Sequence, residues 1–137
     1  MLLMQQLSPT VREYCIQRRY SERVIEEGLP YLVGKWERVA ERATDYSGWY
    51  LDDYLNDLDG RQVLFDIFTF ATGVELAEAK HRVKVADAKF IANSVDTLDC
   101  VWGLSAEAKY QYTKQRNWWY YRMPIQIGPH WNSPHGT

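Results

Sequence analysis

Four groups of side chains in this 137-residue chain have types and spacings that could do chemistry. The first is Glu78-Ala79-Lys80-His81. Residues three apart on a helix share a face, and a Glu-x-x-His pair presents two metal ligands in this way in di-iron helical proteins. Such centres need the motif twice, with further carboxylates. Here it occurs once, with Arg82 and Lys84 beside it. The second group is Asp52-Asp53-Tyr54-Leu55-Asn56-Asp57. Magnesium is held by one or two carboxylates together with substrate phosphates, but no phosphate-gripping basic run lies nearby. Asp57-Leu58-Asp59-Gly60 matches part of a calcium loop whose first ligand position falls on Leu55, which cannot bind. Helix ends account for these carboxylates without a metal. Asp52 and Asp53 suit a first turn, and Asp59 reads as an N-cap with Gln62 reaching back. Asp53, Asp57, Glu78 and His81 remain as metal-ligand candidates too sparse to define a site, and no cofactor is expected.

The third group lies near the C-terminus. Tyr110, Tyr112, Trp118, Trp119, Tyr120 and Tyr121 interleave with Lys109, Lys114, Arg116 and Arg122. Aromatic faces stack on bases while cations meet phosphates, so this segment could hold a single strand. The same residue types anchor protein interfaces, and ordinary burial of the rings in the core explains them before either. Trp118, Trp119, Tyr121, Arg116 and Arg122 are the candidate binding residues. Adjacent residues point different ways, so one of the two tryptophans is expected in the core and the other at the surface. The fourth group is His130 and His135, too few for a tetrahedral metal site. Glycine-rich phosphate loops, Gly-x-Ser-x-Gly and Cys-x-x-Cys are missing from the sequence.

Composition and charge narrow the classes. The chain is 46% hydrophobic and 25% charged, an ordinary balance for a folded domain, and its length suits one domain over residues 1–137. No apolar run is long enough to span a bilayer. Met1–Leu7 is apolar but has no basic leader. Cys15 and Cys100 are read as reduced, buried thiols, so a cytoplasmic location is expected. The formal charge of -2 hides a polarity. Residues 43–72 carry Arg61 against six aspartates, whereas residues 105–137 carry four basic side chains against Glu107. Such a mixed chain is not an electrostatic binder of duplex DNA.

The elements that must position these groups are helical. Ser8-Pro9 opens a helix that Gly28 ends, and Pro30 starts a second running to Ala43. Tyr50 to Leu58 forms a third. Asp59 caps a fourth through Ala71. Residues 74–102 lack Pro and Gly and hold a three-four apolar spacing, which predicts one long central helix. Ser105 caps a last helix reaching Arg116. Pro124, Gly128, Pro129, Pro134 and Gly136 mark 124–137 as an irregular tail. The expected fold is therefore an all-α bundle of five or six helices. The alternative is α+β, with a short hairpin within 118–127.

Function is expected to be non-enzymatic: a module binding an as yet unidentified protein partner, as an adaptor, inhibitor or immunity-type neutraliser. The alternatives are a small metal-dependent hydrolase using the Asp-rich helix and the Glu-x-x-His, and a single-strand nucleic-acid binder. Nucleic acid is the less favoured partner, and no membrane association is expected. A stripe of Ala77, Ala79, Ala86 and Ala88 permits close helix approach, so a homodimer is expected.

Overall fold

The computed structural model describes residues 8–133. The chain is predominantly helical, with short strands at the seams. Helix α1 (Val11–Gln17) begins at a capping box: Thr10 Oγ1 accepts from the Glu13 backbone N–H and Glu13 accepts from that of Thr10. The cap is thus Thr10 rather than Ser8, and α1 stops at Arg18. Arg19 turns the chain through a left-handed conformation (φ 59°) and Ser21 caps α2 (Glu22–Arg42). The expected single helix to Gly28 is therefore two pieces. Gly28 (φ 65°, ψ -150°) interrupts α2, and Pro30, with no N–H to place, starts its main segment. Helix α2 buries Leu29, Leu32, Val33, Trp36, Val39 and Ala40, and packs on α4 and α3.

After β1 (Asp45–Tyr46), α3 runs unbroken from Leu51 to Phe70. The boundary expected at Asp59-Gly60 does not form. Gly60 costs a helix interior about 1 kcal/mol relative to Ala, but Leu55, Leu58, Leu64 and Ile67 lie buried on both sides and hold the helix through it. Asp59 is consequently not a cap. Helix α4 (Leu76–Ala92) is shorter than the expected 74–102 helix. Asn93 ends it, donating through Nδ2 to Ala40 O (3.0 Å), and Ser94 Oγ donates back to Phe90 O (2.6 Å). Strand β2 (Ser94–Asp96) follows. Ile91, Val95, Leu98 and Trp102 continued the apolar spacing, yet all are exposed, so no burial held a longer helix together. Helix α5 (Leu104–Tyr110) starts at Gly103 rather than Ser105 and ends at left-handed Gln111.

The C-terminal stretch works as a strap. A 3-10 turn (Trp118–Tyr121) leads into β3 (Arg122–Pro124) and β4 (Gln126–Ile127). These strands do not form the alternative hairpin. Strand β3 pairs antiparallel with β2 in the register Val95↔Met123, and β4 pairs parallel with β1 in the register Tyr46↔Ile127. Gly128 passes so close to the Ser47 carbonyl that a Cβ would lie 1.8 Å from its oxygen. Trp131 is then buried against Tyr46 and Tyr54, and its carbonyl accepts from Leu51 N (2.9 Å). Residues 124–131, within the stretch expected to be irregular, are thus held on the fold by strand pairing and by Trp131. Residues Met1–Leu7, where no leader is expected, and residues 134–137, with His135, lie outside the described residues. No described helix is long and apolar enough to cross a membrane.

Candidate functional site

The structure separates the candidate metal ligands. Asp53 accepts from the Tyr50 backbone N–H at the start of α3 (2.9 Å). Asp57 is held by Arg42 Nη2 (2.9 Å) and the Tyr46 hydroxyl (2.7 Å). Glu78 and His81 are exposed on α4, Glu78 beside a hollow shared with Glu75, Pro30 and Arg82. Among the described residues no three His, Cys, Asp or Glu side chains gather into a metal-sized group. Cys15 and Cys100 are free and buried, and burial raises both thiols above their ordinary value.

The aromatic-basic segment is largely engaged by the fold. Trp119 is 0% exposed and Tyr121 is buried, its hydroxyl donating to Glu107; Trp118 is half-buried against Phe90. Arg122 donates to Ser94 Oγ (2.8 Å), Ser94 O (2.9 Å) and Ile91 O (3.0 Å). Arg116 donates to the Gln111 carbonyl. No exposed tryptophan ring flanked by Arg116 and Arg122 results. Of the alanine stripe, Ala79 and Ala86 are buried in the face of α4 that packs on α2, leaving Ala77 and Ala88 exposed.

A different group comes together on α3. Positions 59, 62, 63 and 66 recur at three and four, so Asp59, Gln62, Val63 and Asp66 share one face of the continuous helix. That face floors an open groove of about 460 Å³. Tyr20, from the corner between α1 and α2, lines it together with Arg18, and Tyr110, Tyr112 and Tyr120 come from the opposite end of the chain. Tyr112 packs on Tyr120 (ring centroids 4.6 Å) and stacks on Tyr110 (5.5 Å). A second hollow of about 240 Å³ shares Asp59, Tyr110 and Tyr112, and is bounded by Trp102 and Ala106.

Asp59 accepts from the Tyr120 hydroxyl (2.6 Å) and from Trp102 Nε1 (3.2 Å). Burial nevertheless raises its carboxyl above the usual range, an effect those two hydrogen bonds only partly offset. Asp66 is raised for the same reason, opposed by a hydrogen bond from Gln62 (3.1 Å) and the charge of Arg18. Neither carboxylate forms an ion pair with a described residue. Asp57, Asp87, Asp96 and Glu37 do, with Arg42, Arg61, Lys114 and Arg82 respectively. Desolvation and the nearby Asp59 push the Tyr120 hydroxyl strongly upward, so it stays a donor. The Tyr20 hydroxyl is buried beside that of Tyr14, and burial raises it well above its ordinary value. Desolvated carboxylates between tyrosine faces, whose rings carry negative potential, favour one class of visitor, an organic cation.

No family model, no curated protein and no solved structure matches this chain.

The groove was hidden in the sequence by the reading of Asp59 as a cap. With α3 taken as continuous, the i, i+7 pair Asp59 and Asp66 would have been visible on one face. Tyr20 and the three C-terminal tyrosines reach that face only through tertiary packing, and no local pattern announces them.

Proposed function

We propose that this protein is a non-enzymatic protein-interaction module, of the adaptor, inhibitor or immunity type, and that it meets its partner on the side where α3 and α5 border the groove. The observation that carries this reading is apolar exposure beside an unpaired, desolvated carboxylate. Leu98 (89% exposed), Leu104 (75%), Tyr110 (55%) and Trp102 (39%) belong to the segment running from the end of β2 through α5. Trp102 is anchored by its indole N–H on Asp59, so its exposed ring is held in place and little side-chain entropy is left to lose on binding. Immobilised tryptophan and tyrosine rings are typical interface anchors. The test is a pair of full-length variants, Trp102→Ala and Leu104→Ser. Both are expected to keep the wild-type circular dichroism and to lose specific partners in affinity capture. Captured sets identical to wild type would overturn the reading.

A further inference from the structure

We infer that the groove on α3 seats a basic helix of the partner protein, one with two Arg or Lys side chains seven residues apart. This rests on the interaction reading above and names the partner's chemistry. Seven residues at 1.5 Å rise span about 10 Å, the axial spacing of Asp59 and Asp66. A partner helix lying along α3 therefore presents its own i and i+7 cations in matching register.

Between the two carboxylates lie Gln62 and Val63, which meet a polar and an apolar residue at the partner's i+3 and i+4 positions. Charge complementarity at this face comes from two carboxylates that line the groove and are partly withdrawn from water. The carboxylates at 57, 87 and 96 already have cationic partners within the fold, while those at 59 and 66 have none among the described residues. Arg18 lies at the Asp66 end and moderates that carboxylate alone, so Asp59 is the stronger anchor. The stacked rings of Tyr110 and Tyr112 flank the Asp59 end; Lys109 Nζ already lies 5.3 Å over Tyr110, so Tyr112 is the ring over which a guanidinium can lie while it pairs with the carboxylate. The exposed apolar surface of Trp102 and Leu104 continues past the groove. A helix covers both, whereas a free polyamine would leave the apolar part bare.

The experiment uses the full chain and a fluorescein-labelled, alanine-glutamine host peptide with arginines at i and i+7 and leucine at i+4, read by anisotropy. The expected result is binding that weakens as salt rises. It should be about tenfold tighter than for a peptide of the same composition with arginines at i and i+5. Asp59→Asn and Asp66→Asn keep the hydrogen-bond acceptors. Together they should lower affinity about tenfold without lowering the melting temperature. Equal affinity for both spacings, or an unchanged affinity of the double variant, overturns the inference. So does displacement of the peptide by spermidine at equal concentration, which would make the groove a site for free amines. If the peptides fail while Trp102→Ala still abolishes partner capture, the basic-helix inference falls and the interaction reading stands. If the i, i+7 peptide binds as expected but Trp102→Ala and Leu104→Ser leave capture intact, the groove keeps its ligand class and the interaction face is refuted.

Discussion

Helix α3 buries charge on two of its faces, and the two are treated in opposite ways. On one, Arg61 grips Asp87 of α4 with two hydrogen bonds (2.9 and 3.0 Å), while Trp36 of α2 donates to the same carboxylate (2.8 Å). The guanidinium lies 4.4 Å over Trp119 and 5.9 Å over Trp118. Three helices and the C-terminal strap meet there. On the other face Asp59 and Asp66 are also drawn out of water, but receive only neutral donors. A charge that finds its counter-ion inside the fold becomes scaffold. One that finds only hydroxyl, amide and indole groups keeps an unmet demand for a cation.

The largest effect should come from breaking the paired face. Asp87→Ala strands a buried guanidinium and is expected to cost about 3–5 kcal/mol, enough to unfold a marginal domain. Urea denaturation followed by tryptophan fluorescence measures it, and a loss below about 1 kcal/mol would contradict a structural role for the pair. Trp119→Ala removes the ring under Arg61 and should cost about as much, 3–5 kcal/mol, whereas half-buried Trp118→Ala should cost about 2 kcal/mol. Equal losses at the two tryptophans would show that the strap packs differently from this description.

The unpaired face should respond with the opposite sign. A carboxyl whose folded-state pKa is raised holds its proton longer in the native chain than in the unfolded one. Stability then falls as pH rises through the window from the unfolded value, about 3.9, to the raised folded value, and the penalty persists above it. The groups facing Asp59 are Tyr120, Tyr112 and Trp102, and Gln62, Arg18, Tyr20 and Tyr14 face Asp66. Asp59→Asn and Asp66→Asn should therefore raise the melting temperature at pH 7, and the gain should shrink toward pH 4. Destabilisation at pH 7 by both asparagines would mean the carboxylates are satisfied after all. The smallest effect is expected at the rim: Trp102→Ala should change stability by less than about 1 kcal/mol in thermal melts, because its ring is not part of the core.

What could be read from the sequence was what local chemistry controls. The break at Gly28 and Pro30 follows from backbone freedom and a missing N–H, so it was legible. The apolar face of α2 was legible because burial repeats at helical spacing. The C-terminal end of α4 and the continuity of α3 through Asp59-Gly60 were not. Ile91, Val95, Leu98 and Trp102 imitate a buried stripe although water covers them, and Asp59-Gly60 imitates a cap although Tyr120 and Trp102 satisfy the carboxylate from far along the chain. Strand pairing was hidden for the same reason, since Ser94 finds Pro124 and Asp45 finds Gln126 across long separations. Of the site, only the seven-residue spacing of Asp59 and Asp66 was written locally, and its tyrosine walls were not.

The strap has a consequence for how the chain is made. Trp119, Tyr120, Tyr121 and Trp131 fill the core from beyond α4, and nearly forty residues separate the end of α4 from Trp131. At about 5–20 residues per second a ribosome takes several seconds to cover that stretch. During those seconds the four leading helices are in the cell with Arg61 lacking its tryptophan and Tyr54 lacking its acceptor on Arg122. The nascent chain therefore passes through an unfinished, apolar-faced stage in which chaperone engagement and aggregation compete with the arrival of the strap.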